Sequence, residues 1–197
     1  MTYKKILLLG DSIMYGAKGI RGYGYYVWKN LSDRAFVHLP SDNCQDARYL
    51  LNYFDDLVEE KNDVYDVIHW NNGLWDVLHF AGNPNPYTPI DVYSKTLEDI
   101  LALLKQRYPS AKICFATTTP VPEHLQKTSS YRSNSEIVSY NQVALQTLQG
   151  KVDFVDDLFS FACTIGDEYR AKDGLHYSEQ GAELLSQCVE RFVRNIL

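Results

Sequence analysis

The sequence predicts a doubly wound α/β domain built on a five-stranded parallel sheet. Three observations carry this expectation. Five short apolar runs recur along the chain: Ile6–Leu9, Ala35–Leu39, Val64–Trp70, Lys112–Thr117 and Val152–Val155. They lack clean polar/apolar alternation, as strands covered on both faces do. Helical patterns separate them, and a strand–helix order repeated five times is what right-handed crossovers turn into a parallel sheet. The 197 residues suit one domain, spanning residues 1–197, and contain no solenoid repeat or low-complexity linker.

The elements follow in order. Ile6–Leu9 comes after Lys4-Lys5 and ends in Gly10-Asp11-Ser12. It is shorter than the roughly 7–15 apolar residues of a signal-peptide core, so it reads as a first strand. Tyr25–Leu31 is a short aromatic helix, and Gln45–Glu60 carries Leu50, Leu51, Phe54, Leu57 and Val58 at helical spacing. Thr88 is the expected N-cap of a helix over Pro89–Tyr108, with Pro89 at the first position and Asp91 in the first turn. Ser133-x-x-Glu136 reads as a capping box opening a helix to about Gln149, and Ser178 caps a last helix running nearly to Leu197. Two loops, about His79–Thr88 and Thr118–Arg132, are longer than connection requires. Both follow strands, as does Gly10-Asp11-Ser12, which puts all three at the carboxyl edge where ligands bind in such folds.

Composition narrows the function. The net charge is −6 and no basic cluster exceeds Lys4-Lys5, so nucleic acid is not an expected partner. No run approaches the roughly 20 apolar residues of a membrane span. The four cysteines (Cys44, Cys114, Cys163, Cys188) form no C-x-x-C pair, which argues against a zinc ribbon or a thioredoxin-type motif. Free thiols in a reducing compartment follow, and with them a cytoplasmic protein.

Ser12 has three readings. It is a turn residue, since Gly, Asp and Ser stabilise bends. It is part of a phosphate or flavin site, although neither G-x-G-x-x-G nor G-x-x-x-x-G-K-[ST] occurs. Or it is a nucleophile, which needs a base and a group to orient that base. The elbow G-x-S-x-G is absent, position 14 being Met. D-x-x-H supplies a base with its carboxylate locally, and the chain has three such pairs. Asp66-x-x-His69 falls inside a predicted strand, where an offset of three puts the side chains on opposite faces, so it reads as structural. Asp76-x-x-His79 and Asp173-Gly174-Leu175-His176 both lie at the carboxyl edge. The second, in a loop of small and polar residues before the last helix, is the better candidate opposite Ser12.

Gly10-Asp11-Ser12 after the first strand, paired with Asp173-Gly174-Leu175-His176 near the C-terminus, resembles the SGNH (GDSL) hydrolase superfamily over almost the whole chain. Its members are esterases, lipases, thioesterases and carbohydrate deacetylases on a flavodoxin-like α/β/α fold of three layers. The resemblance implies that Ser12 is the nucleophile, His176 the general base and Asp173 its orienter, with no metal or organic cofactor. The middle motifs depart from the family. Its second motif supplies a Gly whose N–H enters the oxyanion hole, and the matching stretch LPSDNCQDARYL contains none. A backbone N–H at Cys44 or Gln45, or the Asn43 amide, is the expected substitute. The third motif, G-x-N-D, reads Gly73-Leu74-Trp75-Asp76, with Trp75 where the family places an oxyanion Asn. Asn71 or Asn72 is the alternative donor, and Asn72 is preferred. Asp11, Gly73 and Trp75 are expected to neighbour the site.

The reading is a serine ester hydrolase acting on a small-molecule ester. The short chain leaves little room for a lid or acyl tunnel, which points to short acyl groups. Tyr15, Tyr23, Tyr25, Tyr26, Trp75 and Tyr87 near the edge loops suit an acylated sugar, or else pack in the core. Arg48, His124 and Arg132 are further candidates for substrate contact. The altered motifs leave a second reading, a catalytically weak or inactive binding domain on the same fold.

Overall fold

A computed structural model describes residues 3–17, 19–59, 64–126 and 129–197. Its strands are β1 (Lys4–Leu9), β2 (Ala35–His38), β3 (Val67–Asn71), β4 (Lys112–Ala116) and β5 (Phe154–Asp156). They pair in parallel in the order β2-β1-β3-β4-β5. The apolar runs explain this order. The three inner strands are buried on both faces, whereas the edge strands expose Phe36, Phe154 and Val155. Ile6 sits between Val37 and Val67, and Trp70 pairs with Leu9 and Phe115, its ring meeting that of Phe115 edge to face at 5.1 Å. Each fully buried Leu or Ile of β1 contributes roughly 1.5–3 kcal/mol.

Among the described residues eight α-helices cover the sheet: α1 (Ser12–Tyr15), α2 (Tyr23–Leu31), α3 (Ala47–Asn52), α4 (Phe54–Leu57), α5 (Ile90–Arg107), α6 (Asn134–Leu148), α7 (Leu158–Ala162) and α8 (Glu179–Ile196). Helix α2 packs on α8 and α8 on α7, while α5 packs on α3 and α6. These two groups make the outer layers of an α/β/α sandwich. None of the described helices is long and apolar enough to cross a membrane.

Several local expectations are corrected. The helix expected over Gln45–Glu60 is broken at Tyr53 into α3 and α4, and its expected end at Glu60 lies outside the described residues. Strand β3 begins at Val67, with Val64 exposed, and β5 begins at Phe154. Thr88 does not cap α5: the N-cap is Pro89, without a side-chain bond, and the Thr88 N–H donates to the Asp76 carbonyl at 3.0 Å. Ser133 occupies the N-cap of α6, but no capping box forms. Its hydroxyl pairs with that of Ser135 at 2.5 Å, and Glu136 turns to His79, 3.0 Å from Nε2. A long-range partner wins over the local one. Ser178 does cap α8, accepting from the Gly181 N–H at 3.3 Å.

The strand order sets the position of the site. Chain connections leave β1 and β3 on opposite sides, so the crevice for a ligand opens at the carboxyl ends of these neighbours. Two antiparallel ribbons rim it. Gly16–Ala17 pairs with Ile20–Arg21 beyond α1, and His79–Phe80 pairs with Ser130–Tyr131. The second ribbon ties the two long loops to each other.

Candidate active site

Asp11 turns the chain from β1 into α1. Its Oδ1 accepts from the Ile13 N–H at 2.9 Å, and its carbonyl accepts from Met14 and Tyr15 at 3.0 and 2.9 Å. Gly10 is required because a Cβ there would stand 2.8 Å from the Met14 Cβ. Ser12 is thereby held at the first helical position, buried at the strand end.

The opposing loop is built with equal care. Asp173 Oδ1 accepts from the backbone N–H groups of Leu175 and His176, both at 3.0 Å, which curls Asp173 back onto its own loop. Gly174 has φ +74°, and a Cβ there would meet the Leu125 carbonyl at 2.5 Å. The Arg170 guanidinium donates to Leu175 O at 3.1 Å and Pro120 O at 3.0 Å, fixing the loop from below. Arg170 escaped the sequence reading because its acceptors are backbone carbonyls, one of them fifty residues away, and no local pattern marks such a bond.

These two constructions meet. Ser12 Oγ lies 2.8 Å from His176 Nε2, and His176 Nδ1 lies 2.6 Å from Asp173 Oδ2. An ionised carboxylate only accepts, so Nδ1 carries the ring proton and Nε2 is free to accept from the Ser12 hydroxyl. Partial burial works to raise the Asp173 pKa, but the bonds from the His176 ring and the two N–H groups outweigh it and hold the carboxyl below its ordinary value. Asp173 therefore remains ionised beside the imidazole at neutral pH.

The other two D-x-x-H pairs are dispersed. His69 Nε2 bonds Asp156 Oδ2 at 2.9 Å in the core, and Asp66 bonds Lys4 Nζ at 2.7 Å. His79 bonds Glu136, while Asp76 accepts from the Ala47 N–H at 3.2 Å. Burial, with the neighbouring charge of Asp46, pushes the Asp76 carboxyl up to about 7.

Of the expected oxyanion donors all but the Asn43 amide nitrogen, which has no acceptor among the described residues, are engaged elsewhere. The Cys44 N–H donates to Gly10 O at 3.1 Å, and the Gln45 N–H to Asn43 Oδ1 at 2.9 Å. Asn72 is fully buried, its amide donating to Gln45 O at 3.2 Å and accepting from the Trp70 indole at 2.6 Å. Asn71 donates to Ala116 O at 2.8 Å. Gly73, at φ +138°, packs against Thr118 and Tyr93, and Trp75 is half-buried. Arg48 bonds Asp46 and the Tyr87 carbonyl, and exposed His124 faces Asp167 at 3.6 Å. Cys44 is inert, its thiol pushed up to about 12 by burial. Tyr23 and Tyr26 belong to the core, whereas Tyr15, Tyr25 and Tyr87 reach the surface.

Two small spaces adjoin His176. One is a cavity of about 180 Å³ lined by Gln126, Ser130, Arg132, Asp173, Gly174, Leu175 and His176. The other, of about 10 Å³, is a crevice at Ser12 walled by Ile20, Arg21 and Gly22. Among the described residues there is no group of three or more His, Cys, Asp or Glu side chains placed to hold a metal ion.

Residues 8–184 match the model of the GDSL-like lipase/acylhydrolase family. Among solved structures, a lipase/acylhydrolase from Enterococcus faecalis is similar at TM-score 0.73 and 20% identity, over 98% of this chain and 96% of that one. A putative platelet activating factor structure from Streptococcus pneumonia gives TM-score 0.74 and 22% identity, over 98% and 85%. An acetylxylan esterase from Geobacillus stearothermophilus gives TM-score 0.67 and 20% identity, over 98% and 94%. No curated protein matches the chain.

Proposed function

Since the chain belongs to the GDSL-like lipase/acylhydrolase family and is a carboxylic ester hydrolase, we propose that it cleaves short acyl esters through Ser12, His176 and Asp173. The observation that carries this is the unbroken hydrogen-bond chain from Ser12 Oγ through both imidazole nitrogens to Asp173. His176 Nε2 takes the Ser12 proton as Oγ attacks the ester carbonyl. The proton then passes to the departing alcohol, leaving an acyl-enzyme. A water molecule, deprotonated by the same nitrogen, hydrolyses it. Asp173 keeps the ring proton on Nδ1 and stabilises the imidazolium.

The small cavity beside His176 favours short acyl groups, since pockets for larger ligands run to about 300–1,000 Å³. An O-acetyl group on a carbohydrate fits the same limits. Arg21, which lines the Ser12 crevice and lies 4.0 Å over the Tyr25 ring, offers hydrogen-bond donors to sugar hydroxyls there. The acetylxylan esterase among the similar structures agrees with that substrate class.

Ser12→Ala assayed on nitrophenyl acetate tests the reading. Hydrolysis is expected to vanish, along with labelling of Ser12 by a serine-directed phosphonate. Hydrolysis at the wild-type rate, or an adduct on another residue, overturns it. A preference for octanoyl over acetyl esters sinks the short-acyl assignment. The engaged donors around Asn72 and Gln45 favour a second reading, a weak catalyst or a binding domain, and the same assay decides it.

A further inference from the structure

An oxyanion needs donors aimed at it, and the Asn71 and Asn72 amides and the Cys44 and Gln45 N–H groups are bound to other acceptors. One strong donor group near the site has two nitrogens without an acceptor among the described residues. Arg132 follows directly on the ribbon that joins the two long loops. It is buried, 6% exposed, and among the described residues forms no ion pair. Its Nε donates to Leu74 O at 2.5 Å, and neither terminal nitrogen has an acceptor among the described residues. Its backbone is clamped on both sides, the N–H donating to Gln126 Oε1 at 2.6 Å and the carbonyl accepting from Gln126 Nε2 at 2.5 Å.

The placement is informative. Leu74 immediately precedes Trp75, the position where the family keeps its oxyanion Asn. The guanidinium thus hangs on the loop that normally supplies the missing donor. It lines the cavity that reaches His176, and its charge is felt at Asp11, the residue before the nucleophile. A buried guanidinium with one carbonyl partner, the Asp11 carboxyl as a charge neighbour and no ion pair among the described residues is costly to hold. It is also well prepared to receive negative charge that appears only during reaction. The fork is rigid, always charged at neutral pH, and fixed at Nε so that both terminal nitrogens are free.

We infer that Arg132 supplies the oxyanion-stabilising donor of this site, replacing the amide absent at position 75. The Ser12 N–H, at the start of α1 and without an acceptor among the described residues, is the second donor. Negative charge building on the carbonyl oxygen as Ser12 attacks is met by the guanidinium, and it disperses when the carbonyl re-forms in the acyl-enzyme. No proton leaves Arg132. The inference rests on the proposed serine mechanism.

The experiment uses Arg132→Gln and Arg132→Lys in the full chain, with neutral nitrophenyl acetate as substrate. Functional sites are counted by stoichiometric phosphonate labelling of Ser12, so misfolded molecules drop out of kcat. For Arg132→Gln, kcat per labelled site is expected to fall about 10²–10³-fold, the usual loss of one oxyanion donor, with KM nearly unchanged. The phosphonate labelling rate falls with it, since that reaction also builds charge on oxygen. The pH dependence of kcat/KM keeps its midpoint, because the His176–Asp173 pair is untouched. Arg132→Lys retains part of the activity and carries the test if the Gln variant does not fold. Unchanged kcat in the Lys or Gln variant overturns the inference. So does a loss confined to KM for esters bearing a carboxylate, which makes Arg132 a substrate anchor. A shifted pH midpoint with a lowered melting temperature also overturns it, since that is the mark of a structural strap. If Ser12→Ala hydrolyses normally, the serine mechanism fails; if it is dead while the Arg132 variants keep kcat, only the role of Arg132 fails.

Discussion

Asp173→Asn separates orientation of the base from simple tethering of the loop. In the wild type, Oδ1 accepts from two backbone N–H groups and Oδ2 accepts from His176 Nδ1. An Asn must keep its oxygen toward the two N–H groups, because an NH₂ there would face two donors. Its NH₂ then points at His176 Nδ1. That contact is satisfied only if Nδ1 loses its proton, which moves to Nε2 and confronts Ser12 Oγ with a donor. The loop stays in place and the base disappears. Installing the wrong tautomer in a Ser-His-Asp device costs about 10⁴ in kcat, or about 5.5 kcal/mol at 1.36 kcal/mol per decade. The lost bond itself changes stability by only about 1–3 kcal/mol. The assay is kcat on nitrophenyl acetate at neutral pH alongside a thermal melt. A variant within tenfold of the wild-type kcat, with a normal melt, refutes the assignment of Asp173 as orienter. The melt has its own signature in acid. The Asp173 carboxyl is held below its ordinary value in the folded protein, so its contribution to stability is present above the unfolded pKa and lost as pH falls through the folded one. Asp173→Asn removes that loss.

Two further predictions concern groups outside the site. The Asp76 carboxyl is pushed up to about 7 when folded, so the folded state holds the proton more tightly than the unfolded chain. Its contribution to stability is full below about pH 4 and is lost as pH rises through about 7, by on the order of 4 kcal/mol at most. Asp76→Asn, which keeps an acceptor for the Ala47 N–H, should flatten the fall in unfolding free energy between about pH 4 and 7; an unchanged dependence of that free energy on pH contradicts the assignment. His69→Ala leaves the buried Asp156 side chain without its hydrogen-bond partner and should cost about 1–3 kcal/mol in urea denaturation, while kcat per labelled Ser12 stays the same. A matching loss of kcat would mean that this D-x-x-H histidine also serves the reaction.

The sequence reveals some links and hides others, and the difference is one of range. The inner strands are legible because burial on both faces leaves an apolar run, and Asp173-x-x-His176 because three residues suffice to close a turn on itself. The capping box at Ser133 was misread for the opposite reason. Glu136 has a local option, the N-cap, and a distant one, His79, and the fold brings the distant one within 3.0 Å. The same holds for Thr88 and Arg170, and for Asn72, which looked like a free amide at a strand end and is instead a buried brace. Arg132 showed only as a cation in a long loop. That its terminal nitrogens lack acceptors among the described residues is a property of the assembled edge, and no spacing encodes it.

The departures of the two middle motifs belong together. Gln45 takes φ +49°, a conformation that a non-glycine residue adopts at a cost of roughly 1–2 kcal/mol. It is held there from both ends, by Asn43 on its N–H and by Asn72 on its carbonyl. The positive φ that a glycine would adopt freely is therefore kept without the glycine, by a bond to the second motif from the residue just before the third. That bond uses the Asn72 amide, and Trp75 offers none. Two changes that each look like the loss of an oxyanion donor thus lock one motif onto the other, and leave the Leu74 carbonyl as the anchor for Arg132. An edge with the Asn71 and Asn72 amides bound internally, and a guanidinium whose terminal nitrogens have no acceptor among the described residues, suits a charge that forms only in the transition state. A guanidinium clamped at Nε and otherwise without acceptors among the described residues, beside the Ser12–His176–Asp173 hydrogen-bond chain, is an arrangement that a catalyst uses and a binding domain does not need.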